Sequence, residues 1–401
     1  MTARGDRERR SETERGGSAD DGARFEEIDW DELDRETRRR PSTPTLAFLA
    51  GVVAVVAAYG ADALAGPSGR PPAVPFTPVD ALFAVTLLAA ARYGLYPLAA
   101  EPRVARRYWR TFRRNRVAVW SLGFLAVVFV VGLLGPLVVA RPELDVLARY
   151  QPPVFGAAPT TVTGPCVGRV SDGVCHGTWA HPLGTTGQGK DVLASVVYGT
   201  RVSLEVGLVT ASLVAVIGTA VGTTAAYAGG LVDEALMRYV DVQMTFPTFF
   251  LYLLLLYLYG GTLFLLVVIF GVTSWGGTAR LVRSEALQRR TEPYVEAARV
   301  AGASELRIVR RHVLPNVSNT VITNATLLVP SLVLFEATFA FLGLGDPTVP
   351  SWGRLIAAGR GDLASAWWIS TIPGVVLFAT VLALNFVGDA TRDALDPRGE
   401  R

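Results

Sequence analysis

The string GTTGQGK at residues 184–190 matches most of GxxxxGK, the pattern of a loop that binds nucleotide phosphates. Such a loop needs Ser or Thr at the next position to hold magnesium, but this chain has Asp191 there. No strand pattern precedes the string, and the topology inferred below places it outside the membrane, away from ATP. We therefore expect neither nucleotide binding here nor any bound cofactor.

Cys166 and Cys175 are the only cysteines, and they lie nine residues apart in a segment rich in glycine and turn-forming residues. An exclusive pair on an oxidising outer face favours a local disulfide, with two free thiols as the alternative. His176 follows directly, but two cysteines and one histidine are an incomplete set of zinc ligands. We therefore expect a disulfide and no metal site.

Glu336 lies inside the apolar run SLVLFEATFAFLG. Carboxylates within membrane segments are rare, and they face protein or water rather than lipid. Two roles are open for Glu336, because it can line a solute pathway or make a structural contact between helices. The three histidines, His176, His181 and His312, fall on opposite sides of the inferred topology and form no cluster. We expect no catalytic residue and do not predict an enzyme.

The elements that position these residues are membrane helices. Half of the 401 residues are hydrophobic, and they occur in blocks of about 20, the length that crosses roughly 30 Å of hydrocarbon. Such blocks must be helices, because backbone groups cannot stay unpaired in lipid. The predicted fold class is an all-α polytopic membrane protein with about eight spans. The predicted spans are 45–65, 79–99, 117–140, 203–228, 246–260, 262–279, 320–343 and 371–388.

Arginine is concentrated in residues 103–116 and 280–311, which the positive-inside bias predicts to be cytoplasmic. With eight spans, both termini are then cytoplasmic, and we expect the basic linker to contact membrane lipids rather than nucleic acid. The predicted segments are a charged, disordered cytoplasmic tail 1–44, an accessory transmembrane hairpin 45–100, a basic linker 101–116, a core 117–390 with external loop 141–202 and cytoplasmic loop 280–318, and a cytoplasmic tail 391–401.

The cytoplasmic loop contains a predicted pair of short helices. Residues 292–301 have the composition of a helix with Pro293 in its first turn, and Gly302 allows a sharp, left-handed turn after it. Ser304 can cap a second helix, which Pro315 is predicted to end before the next span. A slim, polar pair of helices between two spans is typical of a surface that contacts a soluble partner.

The string EAARVAGASELRIVRRHVLP at residues 296–315 resembles the EAA signature of permease subunits of ABC importers. In that family the loop sits in a cleft of the ATPase and transmits its movement to the membrane helices. The small side chains keep the loop slim, and the glutamate supplies a charge that anchors it. The resemblance implies that the ATPase-coupling residues are Glu296, Ala297, Ala298, Gly302, Leu314 and Pro315.

Three further strings resemble the C-type permease of dipeptide, oligopeptide and nickel importers. They are HPLGTTGQGKDVLASVVYGTRVSL from residue 181, FLGLGDPTVPSWG from residue 341 and GDATRDALDPR from residue 388. The resemblance covers about residues 104–398 and implies a MetI-like type I importer core of six helices. This chain departs from the pattern at Thr186 and Lys190, where the family usually has Asp and Arg, and its first two spans are extra.

The resemblance implies a non-catalytic permease subunit that moves peptides or related small solutes across the cytoplasmic membrane. Its implied partners are a second permease subunit, two cytoplasmic ABC ATPase subunits and an extracytoplasmic substrate-binding protein. The alternative is an ion-coupled secondary transporter, which predicts inverted repeats and a set of buried carboxylates. The sequence shows no repeat, and Glu336 is the carboxylate that lies well inside a predicted span.

Overall fold

The computed structural model describes residues 43–65 and 76–395, and this part of the chain is mostly helical. The helices are α1 (Thr43–Ala65), α2 (Pro78–Ala90), α3 (Tyr96–Ala100), α4 (Pro102–Phe112), α5 (Arg116–Val138), α6 (Val192–Ala228), α7 (Gly230–Thr245), α8 (Thr248–Tyr259), α9 (Leu263–Thr273), α10 (Gly276–Arg290), α11 (Pro293–Val300), α12 (Glu305–Ile308), α13 (Leu314–Phe341), α14 (Trp352–Gly359) and α15 (Trp368–Leu395).

Seven helical segments of the described residues are long and apolar enough to cross a membrane. They are Thr43–Leu64, Pro78–Ala100, Arg116–Val138, Val192–Ala228, Leu263–Arg290, Glu305–Phe341 and Trp368–Leu395. Helices α7 and α8 meet at an angle of 71° and form an eighth span if the bent pair is counted as one. The predicted class, an all-α polytopic membrane protein, is confirmed.

Helix α6 is the central element of the core and packs against α5, α9, α10 and α13. Small residues allow this close packing, because a Cβ atom added at Gly218 would lie 2.7 Å from the Thr278 side chain of α10. Helix α6 also packs closely on α13, because a Cβ atom added at Gly207 would lie 3.0 Å from the side chain of Val329. The longest helix thus joins the two helices that flank the predicted coupling loop.

The N-terminal hairpin consists of α1 and the span that begins with α2. The two helices contact each other, and α2 also contacts α6 and α9. Val79 and Phe83 of α2 are buried in the same apolar cluster as Val206 of α6 and Phe270 of α9. One face of α2 is therefore packed into the core, whereas α1 packs on α2 and has no buried residue in its apolar stretch.

A folded loop, residues 139–191 (the sheet loop), covers one end of the helix bundle. It contains a three-stranded antiparallel sheet of order β1-β3-β2, formed by β1 (Ala157–Pro159), β2 (Val170–Ser171) and β3 (Val174–His176). The indole N–H of Trp368 in α15 donates to the carbonyl oxygen of Thr185 at 3.1 Å. Because the Trp368 side chain is buried, this bond fixes the sheet loop to the core.

Four of the predicted spans are clearly longer in the structure, those at 203–228, 262–279, 320–343 and 371–388. Helix α6 begins at Val192 instead of residue 203, because the Asp191 carboxylate accepts the N–H of Ala194 and caps the helix. The span predicted at 262–279 continues to Arg290, because its polar final turns pack on the end of α6 rather than in lipid. Hydropathy detects only the apolar part of such helices. The predicted tail 1–44 lies outside the described residues except for its last two positions.

Candidate functional site

The predicted coupling loop forms a compact turn between two helices, residues 293–308, which we call the elbow. Helix α11 ends in two backbone hydrogen bonds, from Gly302 N–H to the Arg299 oxygen at 3.0 Å and from Ala303 N–H to the Ala298 oxygen at 3.0 Å. This pair of bonds defines a Schellman motif, which requires a left-handed residue just after the helix. Gly302 occupies that position with φ of +81°. The elbow therefore depends on a glycine at residue 302.

The second arm of the elbow begins differently from the prediction. Ser304 occupies the N-cap position of α12, but its side chain makes no capping hydrogen bond. Instead, the Arg299 guanidinium donates to the Glu305 carboxylate at 3.2 Å and links the two arms across the turn. Both side chains are well exposed, so this ion pair adds little stability compared with the backbone bonds.

The sequence pattern predicted that Pro315 ends the second helix, and this prediction is wrong. The helix runs from Glu305 through to Phe341, and a π turn at Val309–Val313 precedes the proline. The Leu314 N–H donates to the Val309 oxygen, which widens the backbone by one residue. A proline lacks one N–H donor and crowds the carbonyl four residues earlier, and the wider turn accommodates both effects. The elbow is thus continuous with a membrane helix.

The inner face of the elbow is anchored on the ends of two membrane helices. Val295, Ile308 and Val313 are fully buried against a cluster that includes Ala226 of α6 and Val282 of α10. Next to this cluster, the Arg290 guanidinium donates to the Ala226 carbonyl oxygen at 3.1 Å, where it satisfies a group at the end of α6. The elbow is therefore packed on the ends of α6 and α10.

The outer face of the elbow carries the residues that the signature singled out. Glu296, Ala297 and Gly302 are exposed, and Ala298 is half-buried. Two apolar side chains that the sequence argument did not single out lie on the same elbow, Val300 at 85% and Leu306 at 58% exposure. Single exposed apolar residues are common on protein surfaces, so Val300 and Leu306 are candidate contacts because of their place on the predicted coupling loop. Helix geometry offered a signal for both residues. At 3.6 residues per turn, Val300 points away from the buried Val295, and Leu306 points away from the buried Ile308.

Leu314 and Pro315 lie at the start of the membrane part of this helix rather than at the tip of the elbow. Leu314 is half-buried and Pro315 is exposed. Their position directly after the π turn gives them a role in helix geometry, separate from the exposed face formed by Glu296 and Ala297. The structure therefore separates the six signature residues into four on the elbow and two directly after the π turn.

Glu336 lies on the same continuous helix, but at its far end. At 1.5 Å rise per residue, the 31 residues between Glu305 and Glu336 correspond to about 45 Å along the helix. Glu336 is 3% exposed, its carboxyl interacts with the hydroxyl of Ser351, and its Oε2 atom has no hydrogen-bond partner in the described part of the chain. The structure does not bring Glu336 near the elbow.

The structure joins Cys166 and Cys175 in a disulfide, with Cα atoms 5.8 Å apart. Cys175 belongs to β3 and pairs with Ala158 of β1 and Val170 of β2, so the bond ties the preceding loop to the middle strand of the sheet. Within residues 43–65 and 76–395, no cluster of His, Cys, Asp and Glu has the composition of a metal site.

Comparison with known proteins identifies the family to which this architecture belongs. Residues 218–401 match the family model described as the binding-protein-dependent transport system inner membrane component. Residues 104–153 match the N-terminal transmembrane domain of oligopeptide transport permease C. The two matches together cover both the elbow and the first helix of the predicted six-helix core.

Similar proteins match over most of their own length. The chain is 35% identical over 290 residues to the oligopeptide transport system permease protein OppC of Haemophilus influenzae, with 72% of this chain and 87% of that protein covered. It is 36% identical over 292 residues to OppC of Escherichia coli, covering 72% and 89%. It is 30% identical over 306 residues to the dipeptide permease DppC of Haemophilus influenzae, covering 75% and 98%. The chain therefore belongs to the family of binding-protein-dependent transport permeases, which are non-catalytic, multi-pass membrane components of ABC transporters.

Proposed function

We propose that this chain is a transmembrane permease subunit of an ABC importer that moves di- or oligopeptides, or related small solutes, across the cytoplasmic membrane. The observation that carries the proposal is the elbow, an exposed turn of two helices that is anchored on α6 and α10 and continuous with α13. The peptide class is supported by the similarity to permeases named for oligopeptide and dipeptide transport.

The proposed assembly contains a second permease subunit, two cytoplasmic ABC ATPase subunits and an extracytoplasmic substrate-binding protein. ATP is hydrolysed by the ATPase subunits, and this chain holds no nucleotide. In this proposal the elbow, the α4 linker and both termini face the cytoplasm, and the sheet loop faces outward. The arginines of α4, which include Arg103, Arg106 and Arg110, then lie at the level of anionic lipid headgroups.

The elbow supports a lever mechanism of coupling. ATPase closure displaces the exposed face formed by Glu296 and Ala297, while the Schellman motif at Ala298 and Gly302 keeps the two arms at a fixed angle. The second arm is continuous with the long helix, and buried Ile308 and Val313 hold it in place. Displacement of this arm therefore moves the far end of the helix, near Glu336. Such rigid-body movement of packed helices is the usual basis of alternating access.

The ion-coupled alternative has less support. A secondary transporter requires buried carboxylates that are free to bind a proton or cation. Two buried acids in the described spans, Asp80 and Glu205, are both bonded to the Arg201 guanidinium, which holds both carboxylates and offsets one of their two negative charges. Glu336 alone does not form a coupling set, and the family of binding-protein-dependent permeases favours the ATP-driven importer.

The decisive experiment is affinity purification of the tagged chain from its native membrane, with identification of every protein that is retained. We expect two P-loop ATPases and a second permease with an EAA segment, and an extract without the tag serves as the control. ATP-dependent uptake of a tripeptide by vesicles that contain this assembly completes the test. A chain that purifies alone, with uptake driven by an ion gradient, would refute the proposal.

A further inference from the structure

A cavity of about 640 Å³ opens at the end of the core that the proposed topology places outside the membrane. It lies between the sheet loop, the last turn of α13 and helix α14. Four cationic side chains line it, Arg141, Lys190, Arg354 and Arg360, and no Asp or Glu is among the lining residues. Lys190 is the only lysine of the chain. The cavity is therefore strongly electropositive.

Two carboxylates lie near the cavity, but neither is among its lining residues. Asp362 accepts the hydroxyl of Tyr150 at 3.1 Å, and Asp346 accepts the backbone N–H of Thr348 at 2.8 Å. Glu336 is buried behind Ser351. None of the ion pairs between described residues includes any of the four lining cations. An anion that enters the cavity therefore meets four cations on its walls and no acidic side chain among the lining residues.

Two of the four cationic side chains, Arg141 and Arg354, are held by backbone carbonyl groups before any ligand arrives, and the backbone of Lys190 is also fixed. The Arg141 guanidinium donates to the Thr348 carbonyl oxygen at 2.8 Å, and Arg354 donates to the carbonyl oxygens of Pro347 and Asp346. The backbone N–H of Lys190 donates to the Thr186 hydroxyl at 3.1 Å. Prearranged groups of this kind lower the entropic cost of binding.

Lys190 lies close enough to two other cations for their charges to affect its ammonium group. Burial lowers the pKa of its ammonium group, and the neighbouring charges of Arg354 and Arg141 lower it further. Like charges held together in this way are stabilised when an anion binds between them. The same cavity has apolar walls that include Leu342, Val349 and Leu355. A ligand with one carboxylate and an apolar body fits this combination of groups.

We propose that this outer cavity binds the carboxylate of the transported solute, with the Lys190 ammonium as a direct partner, before the solute enters the membrane path. The inference rests on the proposed importer function and adds a recognition site within the permease itself. The cavity volume lies within the range of about 300–1,000 Å³ that is usual for small-molecule sites. A concave site of this size favours a whole small molecule over a single acidic side chain of a docked protein.

The test uses the full-length chain in lipid nanodiscs, without a substrate-binding protein, and two probes, trialanine and trialanine C-terminal amide. Equilibrium binding of each labelled peptide is measured for the wild type, Lys190→Gln and Lys190→Arg. Arg169→Gln is the matched control, because Arg169 lies in the same loop, is exposed and does not line the cavity. Thermal unfolding of each variant confirms that it is folded.

We expect the wild type to bind trialanine at least about fivefold more tightly than the amide, because a charge-assisted hydrogen bond is lost with the carboxylate. Lys190→Gln should remove this preference, whereas Lys190→Arg and Arg169→Gln should keep it. Equal binding of both peptides by the wild type, or no binding of either, would overturn the proposal. So would a Lys190→Gln variant that keeps the preference for trialanine. If the complete transporter takes up trialanine with ATP in those cases, the importer function stands and only the carboxylate site fails.

Discussion

Asp80 of the N-terminal hairpin forms an ion pair with Arg201 of the central helix α6. The same guanidinium donates to the Glu205 carboxylate at 2.7 Å, and the Asp80 carboxylate also accepts the hydroxyl of Thr77 at 2.6 Å. Asp80 and Glu205 are both buried. Two acids thus share one cation where α2 of the hairpin meets the core. This contact joins the N-terminal hairpin to α6, the central helix of the core.

Replacement of Asp80 by Asn should loosen the hairpin. The change removes one charge from a buried group while Arg201 keeps its bond to Glu205, so we expect a loss of about 1–3 kcal/mol in stability. The measurement is thermal unfolding in lipid nanodiscs, with proteolysis of residues 66–77 as a local probe. Asp62→Asn is the control, because Asp62 lies on an exposed position of the same hairpin. If Asp80→Asn and Asp62→Asn unfold at the same temperature, the ion pair does not hold the hairpin.

Gly302 should tolerate substitution in the order Asn, then Ala, then Val. Its φ of +81° is accessible to Asn at small cost, costs Ala about 1–2 kcal/mol, and is least accessible to a β-branched side chain. We expect Gly302→Val to abolish ATP-dependent uptake while the chain still inserts in the membrane, and Gly302→Asn to retain much of the uptake. Insertion and uptake are measured on the same vesicles. Normal uptake by the valine variant would contradict the docking role of the elbow.

The exposed apolar side chains of the elbow should contribute to ATPase binding. Leu306→Glu and Val300→Glu place a charge on a surface that is covered in the proposed assembly, so we expect retention of the ATPase subunits to fall about tenfold or more. Neither side chain is buried in the isolated chain, so its thermal stability should stay unchanged. Val295→Ala provides the contrast, because Val295 is fully buried and its truncation should lower stability by about 1–3 kcal/mol. Full ATPase retention by both glutamate variants would show that Val300 and Leu306 are not part of the ATPase contact.

The features that could be predicted from the sequence are those that depend on neighbouring residues. Apolar blocks predict the membrane spans, and the glycine at residue 302 predicts the turn that the structure shows. The ion pair of Asp80 and Arg201 could not be predicted, because its partners are 121 residues apart and no local pattern links them. The effect of Pro315 was also missed, since a π turn is set by helix packing rather than by composition.

The disulfide between Cys166 and Cys175 should stabilise the sheet loop without affecting the membrane spans. It closes a short loop, for which the chain-entropy effect is about 2–3 kcal/mol. Arg169 lies exposed between the two cysteines and offers a cleavage site for trypsin. We expect the double variant Cys166→Ser, Cys175→Ser to be cut at Arg169 faster than the wild type, and reduction of the wild type to raise its rate to that of the variant. The variant itself should not respond to the reductant. The membrane spans pack through other contacts, so the unfolding temperature of the helical core should remain the same in the variant. Equal cleavage rates of the oxidised and the reduced wild type would show that the disulfide does not stabilise the sheet loop.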